Sequence, residues 1–168
     1  MTVYIGLGAN LDHPRHGSPR RTLGRALARL ADVGVEPVRL SRWYRSSPVP
    51  PSDQPWYVNA VAEIRTGLGP DATLAALHRV EDAFSRMRGE RDAARWIDLD
   101  LLDYNLLIKY NNNNGLSILP HPRLHFRAFV LLPLAELAPA WRHPISLEVI
   151  TTLIARLPPE QKISPLSD

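Results

Sequence analysis

The apolar residues of this chain switch between two spacings, and the order of the switches confines the fold to very few arrangements. From Thr2 to Gly8, Val3, Ile5 and Leu7 alternate with Tyr4, Gly6 and Gly8, the period-two pattern of a strand with one face in a core. Leu23, Ala26, Leu27 and Leu30 then recur at helical spacing, which predicts an amphipathic helix over 20–31. Strands are predicted over 38–45 and 57–65, separated by the turn-rich stretch 46–53. A second helix follows Gly69, with Pro70 at its first position and Leu74, Leu77, Val80, Glu81 and Phe84 at helical spacing. A fourth strand is predicted from Ile97 to Tyr104.

The order β-α-β-β-α-β is the split βαβ arrangement of ferredoxin-like folds, an α+β class with an antiparallel sheet and two helices on one face. Beyond it come a run from Asn111 to Gly115, read as a hairpin tip, and a C-terminal extension with helices over 127–137 and after Ser146. A length of 168 residues suits one domain over 1–168 with its own core. No cysteine is present, which excludes a disulfide framework and Cys-ligated zinc. The longest apolar stretches, such as Phe129 to Leu134, fall far short of the ~18–20 residues of a membrane span. The N-terminus has no basic region ahead of an apolar one, so no secretory signal is read and a cytoplasmic monomer without membrane contact is expected. Twenty basic against 17 acidic residues leave a net charge of +3, too little to argue for nucleic acid. Of the basic residues only Lys109 and Lys162 are lysine, and arginine's planar fork grips phosphate oxygens in pairs.

The sharpest chemical feature is Ile97-Asp98-Leu99-Asp100-Leu101. In a strand, residues two apart face the same way, so both carboxylates project together from an apolar segment. Such a pair repels itself and loses hydration unless a cation sits between, and Mg²⁺ prefers these oxygen ligands while leaving positions for substrate phosphates. An isolated D-x-D is more often a solvated strand face. Here Arg86, Arg88, Arg91 and Arg95 stand immediately upstream; cations converging on a metal pair are what a polyphosphate needs. No G-x-x-x-x-G-K-[ST] motif occurs, which excludes a P-loop enzyme. Tyr57 and Asn59 share one strand face; an aromatic ring beside an amide suits a flat heterocycle, which the ring stacks and the amide reads at its edge. His121 is set between two prolines and could donate to a phosphate, whereas His13, His16, His78, His125 and His143 show no metal-ligand spacing. From these residues alone, a ferredoxin-like RNA-binding domain and a metal-dependent phosphohydrolase stay open beside phosphoryl transfer. The RNA reading lacks an exposed aromatic pair on its central strands.

Taken together, Tyr4-Ile5-Gly6-Leu7-Gly8-Ala9-Asn10-Leu11, Tyr44-Arg45-Ser46-Ser47-Pro48, Asp53 to Asn59, Arg95 to Asp100, Leu119-Pro120-His121-Pro122 and Arg127-Ala128-Phe129 resemble the 6-hydroxymethyl-7,8-dihydropterin pyrophosphokinases. The resemblance runs over roughly 2–139 and implies transfer of the β,γ-pyrophosphate of ATP to a pterin alcohol in folate biosynthesis, by direct attack on the β-phosphorus with release of AMP. It implies ATP as co-substrate and two Mg²⁺ ions held by Asp98 and Asp100. It places the pterin near Ser46, Ser47 and Val49, against the Asn59 side chain and between Tyr57 and Phe129. It puts Gln54 and Glu81 on ATP, with Arg86, Arg95 and His121 on the phosphates and Arg91 and Arg127 as further cationic contacts. Asp98, Asp100, Arg86 and Arg95 would carry the catalysis. The segment between Arg88 and Asp98 is shorter than in well-known members, and Leu116-Ser117-Ile118 offers no base where members often carry one.

Overall fold

The structure, a computed structural model, describes residues 2–84, 96–110 and 117–167. Strand β1 (Val3–Ala9) leads into helix α1 (Pro19–Arg29), whose first residue is a proline that needs no hydrogen-bond acceptor there. A 3₁₀ turn over Leu30–Val33 ends at Gly34, whose φ of 81° lies in the left-handed region that glycine enters without steric cost. Strands β2 (Val35–Leu40), β3 (Tyr44–Ser46) and β4 (Tyr57–Thr66) follow, then helix α2 (Pro70–Phe84) and strand β5 (Asp98–Tyr104). Helices α3 (Ala128–Leu137) and α4 (Ile150–Ala155) and a short strand β6 (Ile163–Pro165) complete the chain.

The sheet runs β5-β1-β4-β3-β6, with β2 also paired to β4, and every pairing is antiparallel. This is the ferredoxin-like core, extended by β6 at one edge. The strand predicted over 38–45 is two strands in register with different stretches of β4. Leu40 pairs with Ala62 and Tyr44 with Asn59, so residues 41–43 stand against only 60 and 61, and the extra residue breaks the ladder as a bulge does. The Ser41 hydroxyl compensates by accepting from the Val61 backbone N–H at 3.0 Å. Strand β6 was not predicted; its three residues carry no readable alternation and exist only by pairing with β3.

The helices predicted for one face of the sheet are on it: α1 and α2 cover a core of Val3, Ile5, Leu7, Ala62, Ile64 and Leu99. The opposite face is also covered. Tyr4, Val61 and Leu102 pack under Leu131, Leu134, Trp141, Ile150 and Leu153, brought by α3, α4 and the segment between them. The sheet is therefore buried on both sides over much of its area, and α3 ends the cover where a strip of sheet around Gly6 and Gly8 remains open. The tip predicted at Asn111–Gly115 lies outside the described residues. Among the described residues no helix is long and apolar enough to cross a membrane.

Candidate active site

The open strip is defined by strand register. Tyr44 pairs with Asn59, Asn59 with Gly8, and Gly8 with Asp98, so these four residues form one row across four strands. Paired residues project to the same side of a sheet, which puts the Asn59 amide and the Asp98 carboxylate on either side of a bare glycine. Gly6 is opposite Asp100 in the next row of that face. With adjacent strands about 4.8 Å apart, the Asn59 and Asp98 backbones are separated by about 10 Å. A cavity of about 170 Å³ lies over this floor, lined by Gly6, Leu7, Gly8 and Ala60 beneath. Ser46, Ser47, Val49 and Tyr57 close one side, and Arg127, Phe129 and Val130 from the start of α3 close another. Asn59, Asp98 and Asp100 open into it.

The glycines are the part of the site that motif reading passed over. A Cβ on Gly8 would stand 3.0 Å from Asn59 Nδ2, so the amide occupies space that only glycine leaves. The sequence signal was present: glycines at i and i+2 in a strand whose other face is solid core mark a close approach from outside. Asn59 itself is buried, and the Ser46 hydroxyl donates to its Oδ1 at 2.6 Å. That bond orients the amide and leaves Nδ2 on the Gly8 side. Tyr57 donates from its hydroxyl to Gln54 Oε1 at 3.3 Å. Gln54 Oε1 also accepts from Asn10 Nδ2 at 3.2 Å, so Gln54 braces the aromatic wall without lining the cavity.

On the acidic side, Asp98 is exposed and Asp100 half-buried, while Leu99 between them is in the core. The Arg127 guanidinium lies 3.6 Å from Asp100 Oδ2 and 5.3 Å from the centre of the Phe129 ring. Burial, with Arg123 nearby, lowers the Arg127 pKa; arginine nonetheless stays charged at neutral pH. His121 Nε2 is 3.9 Å from Asp100 Oδ1. Burial first, then Arg127 and Arg123, pushes the His121 pKa down to about 4, so near pH 7 this contact joins a neutral imidazole to a carboxylate and is no ion pair. The His121 backbone N–H donates to the Leu102 carbonyl at 2.8 Å, which fixes the loop against β5.

Glu81, which the resemblance sets against ATP, stands on the helix that packs against β5. It is buried on α2, on the core face of the sheet, and its Oε1 accepts from the Leu99 backbone N–H at 2.6 Å. It holds the strand that carries the two aspartates and does not line the cavity. Arg86, Arg88, Arg91 and Arg95 lie outside the described residues. Among the described residues no set of three or more His, Cys, Asp or Glu could cage a metal. The two carboxylates on one face of β5 still suit a hard cation that takes one or two carboxylates and completes its shell with water and phosphate oxygens.

A cavity with an oriented amide, an aromatic wall and paired acids can take a flat heterocycle at one end and a metal-bound polyphosphate at the other. Residues 4–139 match the family model for 7,8-dihydro-6-hydroxymethylpterin-pyrophosphokinase. The chain belongs to this family. It is 40% identical over 155 residues to the 2-amino-4-hydroxy-6-hydroxymethyldihydropteridine pyrophosphokinase of Haemophilus influenzae, covering 92% of this chain and 91% of that one. With the enzyme of the same name from a Synechocystis strain it shares 38% over 156 residues, 92% of this chain and 75% of the relative. In three dimensions it is similar to the Plasmodium falciparum HPPK-DHPS triple mutant crystallised with SDX-DHP, at a TM-score of 0.68 and 13% identity. That likeness covers 92% of this chain and 44% of the other, and it speaks for the fold alone. As a pyrophosphokinase the chain is an enzyme that transfers diphosphate from ATP.

Proposed function

We propose that this chain transfers the β,γ-diphosphoryl group of ATP to the hydroxymethyl oxygen of 6-hydroxymethyl-7,8-dihydropterin. The observation that supports this reading best is the row Asn59–Gly8–Asp98, which puts a heterocycle-reading amide and a phosphate-side carboxylate over one glycine floor. The pterin ring stands on the floor of Gly6 and Gly8 with its faces toward Tyr57 and Phe129 and its edge against Asn59 and the backbone of Ser46, Ser47 and Val49. ATP enters from the side of Asp98 and Asp100, with His121 donating to a phosphate oxygen as a neutral imidazole and Arg127 supplying positive charge. Arg86, Arg91 and Arg95, outside the described residues, are the further phosphate ligands in this reading. Asp98 and Asp100 fit two Mg²⁺ ions by the chemistry of their oxygens, and bound ions would screen the triphosphate's charge.

The hydroxymethyl oxygen forms a bond to the β-phosphorus as the bond from that phosphorus to the oxygen bridging it to the α-phosphorus breaks. AMP departs with the bridging oxygen, and the alcohol's proton is released. The chain's own contribution is to hold the two reactants in line and to exclude water that would otherwise accept the diphosphoryl group. Incubation of the protein with ATP and Mg²⁺, with and without the pterin alcohol, tests this. AMP is expected only when the pterin is present. AMP or ADP formed at the same rate without it would identify a phosphohydrolase and overturn the reading.

A further inference from the structure

The two walls of the cavity come from segments distant in sequence. Ser46 and Ser47 leave β3 on one side, and Arg127 and Phe129 open α3 on the other. The C-terminal residues 161–165 touch both. Strand β6 pairs with β3, with Ile163 opposite Ser46. Next to that pair the Ser47 backbone N–H donates to the Lys162 carbonyl at 2.9 Å, and the Lys162 N–H donates to the Ser47 hydroxyl at 3.2 Å. One residue earlier the chain reaches the opposite wall. Gln161 Oε1 accepts from the Ala128 backbone N–H at 2.8 Å, and Gln161 Nε2 donates to the Phe126 carbonyl at 2.8 Å. One partner can only donate and the other only accept, so the amide has a single orientation.

The first N–H groups of a helix have no acceptor within it. Arg127, at the N-cap position of α3, makes no side-chain cap, so Gln161, 33 positions away in sequence, takes the Ala128 N–H instead. The bond lands between Arg127 and Phe129, two of the three residues of this wall that line the cavity. Residue 161 also lies beyond residue 139, where the match to the family model ends. We infer that Gln161 is a positioning residue for the pterin end of the site, strapping the Arg127–Phe129 wall to the Ser46–Ser47 wall through consecutive residues of the C-terminal segment. The inference rests on the reading of the cavity as the pterin site. It assigns Gln161 no contact with substrate; its effect passes through the aim of the first turn of α3.

The test measures binding of the pterin alcohol and, separately, of α,β-methylene ATP to the full chain, by titration calorimetry. Gln161→Ala removes a cap and a second hydrogen bond, and is expected to weaken pterin binding by about tenfold and ATP-analogue binding, which Arg127 also serves, by a clearly smaller factor. Gln161→Glu retains an acceptor for Ala128 at a helix N-terminus, where a carboxylate is favoured, and is expected to bind pterin more tightly than Gln161→Ala. Asn59→Ala is the reference for the cavity itself and is expected to lose pterin binding. If Asn59→Ala loses pterin while Gln161→Ala binds both ligands as the wild type does, or weakens both by the same factor, the strap plays no positioning role. If Asn59→Ala binds pterin unchanged, the reading of the cavity falls and the inference falls with it.

Discussion

At the scale of single residues, the site depends on what is absent from β1 as much as on what is present around it. Gly8 makes room for the Asn59 amide, and Gly8→Ala would put a methyl group 3.0 Å from Nδ2. Asn59 Nδ2 must then give by a few tenths of an ångström against the orientation set by Ser46. Pterin affinity is expected to fall about 10- to 100-fold, since a buried hydrogen-bonding group is left mis-aimed, with little change in ATP affinity; equal affinities for wild type and variant would show that Asn59 does not read the ring. Asp98 is exposed at the start of β5, so its removal costs the fold little. Asp98→Ala is expected to lower kcat by about 10²-fold or more, because charge stabilisation at a transferring phosphoryl group is lost, with an unchanged thermal midpoint. Turnover within twofold of wild type would take the aspartate out of the chemistry. The D-x-D pair and the Tyr57/Asn59 pair were legible because period two is a property of any strand. Asn59's partner Ser46 was not: their contact spans 13 positions and exists only through the register of β3 with β4.

Elements set where these residues point. Strand β5 is gripped from the core side by Glu81 of α2, which accepts from the Leu99 N–H between the two aspartates. Glu81→Ala leaves that buried donor unsatisfied and is expected to cost about 1–3 kcal/mol and to lower turnover, whereas Glu81→Gln keeps a carbonyl oxygen as acceptor and should retain most of both. Urea midpoints and kcat of the two variants decide it; equal losses in both would mean that the charge, and not the bond, is what matters. Helix α2 and strands β1, β4 and β5 could be read from spacing, since each keeps one continuous apolar stripe toward the α1–α2 core whatever its other face carries. The break at 41–43 could not. Whether a polar run is strand or bulge depends on how many residues the neighbouring strand sets against it, and that count is not local.

For the whole molecule, the sheet has two cores, and the second carries a titratable pair. His143 is buried, with Nδ1 accepting from the Ile145 and Ser146 N–H groups at 3.3 and 3.2 Å. Burial, then the neighbouring His125, lowers its pKa below the ordinary 6.5. Burial lowers that of His125 as well, and His125 Nδ1 is buried without a hydrogen-bond partner. A histidine with a depressed pKa in the folded state takes up its proton more readily in the unfolded chain. Its contribution is therefore complete above about pH 6.5 and is lost as pH falls below that value. Asp103, whose pKa burial raises, acts with the opposite sign nearer pH 4. The urea midpoint is expected to be lower at pH 5 than at pH 7, and His143→Asn, which keeps an acceptor but cannot charge, should narrow that difference. An identical pH dependence in wild type and variant would remove His143 as its source.

Local spacing by itself determined the helices and, apart from the break at 41–43, the strands of the β-α-β-β-α-β core, with the pairing of acids and of aromatic with amide, because period and side-chain direction follow from backbone geometry alone. Tertiary structure decided the rest. It chose which strand of the sheet lies beside which, and so brought Asn59, Gly8 and Asp98 into one row. It set Glu81 of α2 against the Leu99 N–H, and it returned a C-terminal segment to bridge two walls. Each of these is a contact between residues far apart in the chain, and a contact of that kind forms only once the sheet's register has been fixed by burying both of its faces.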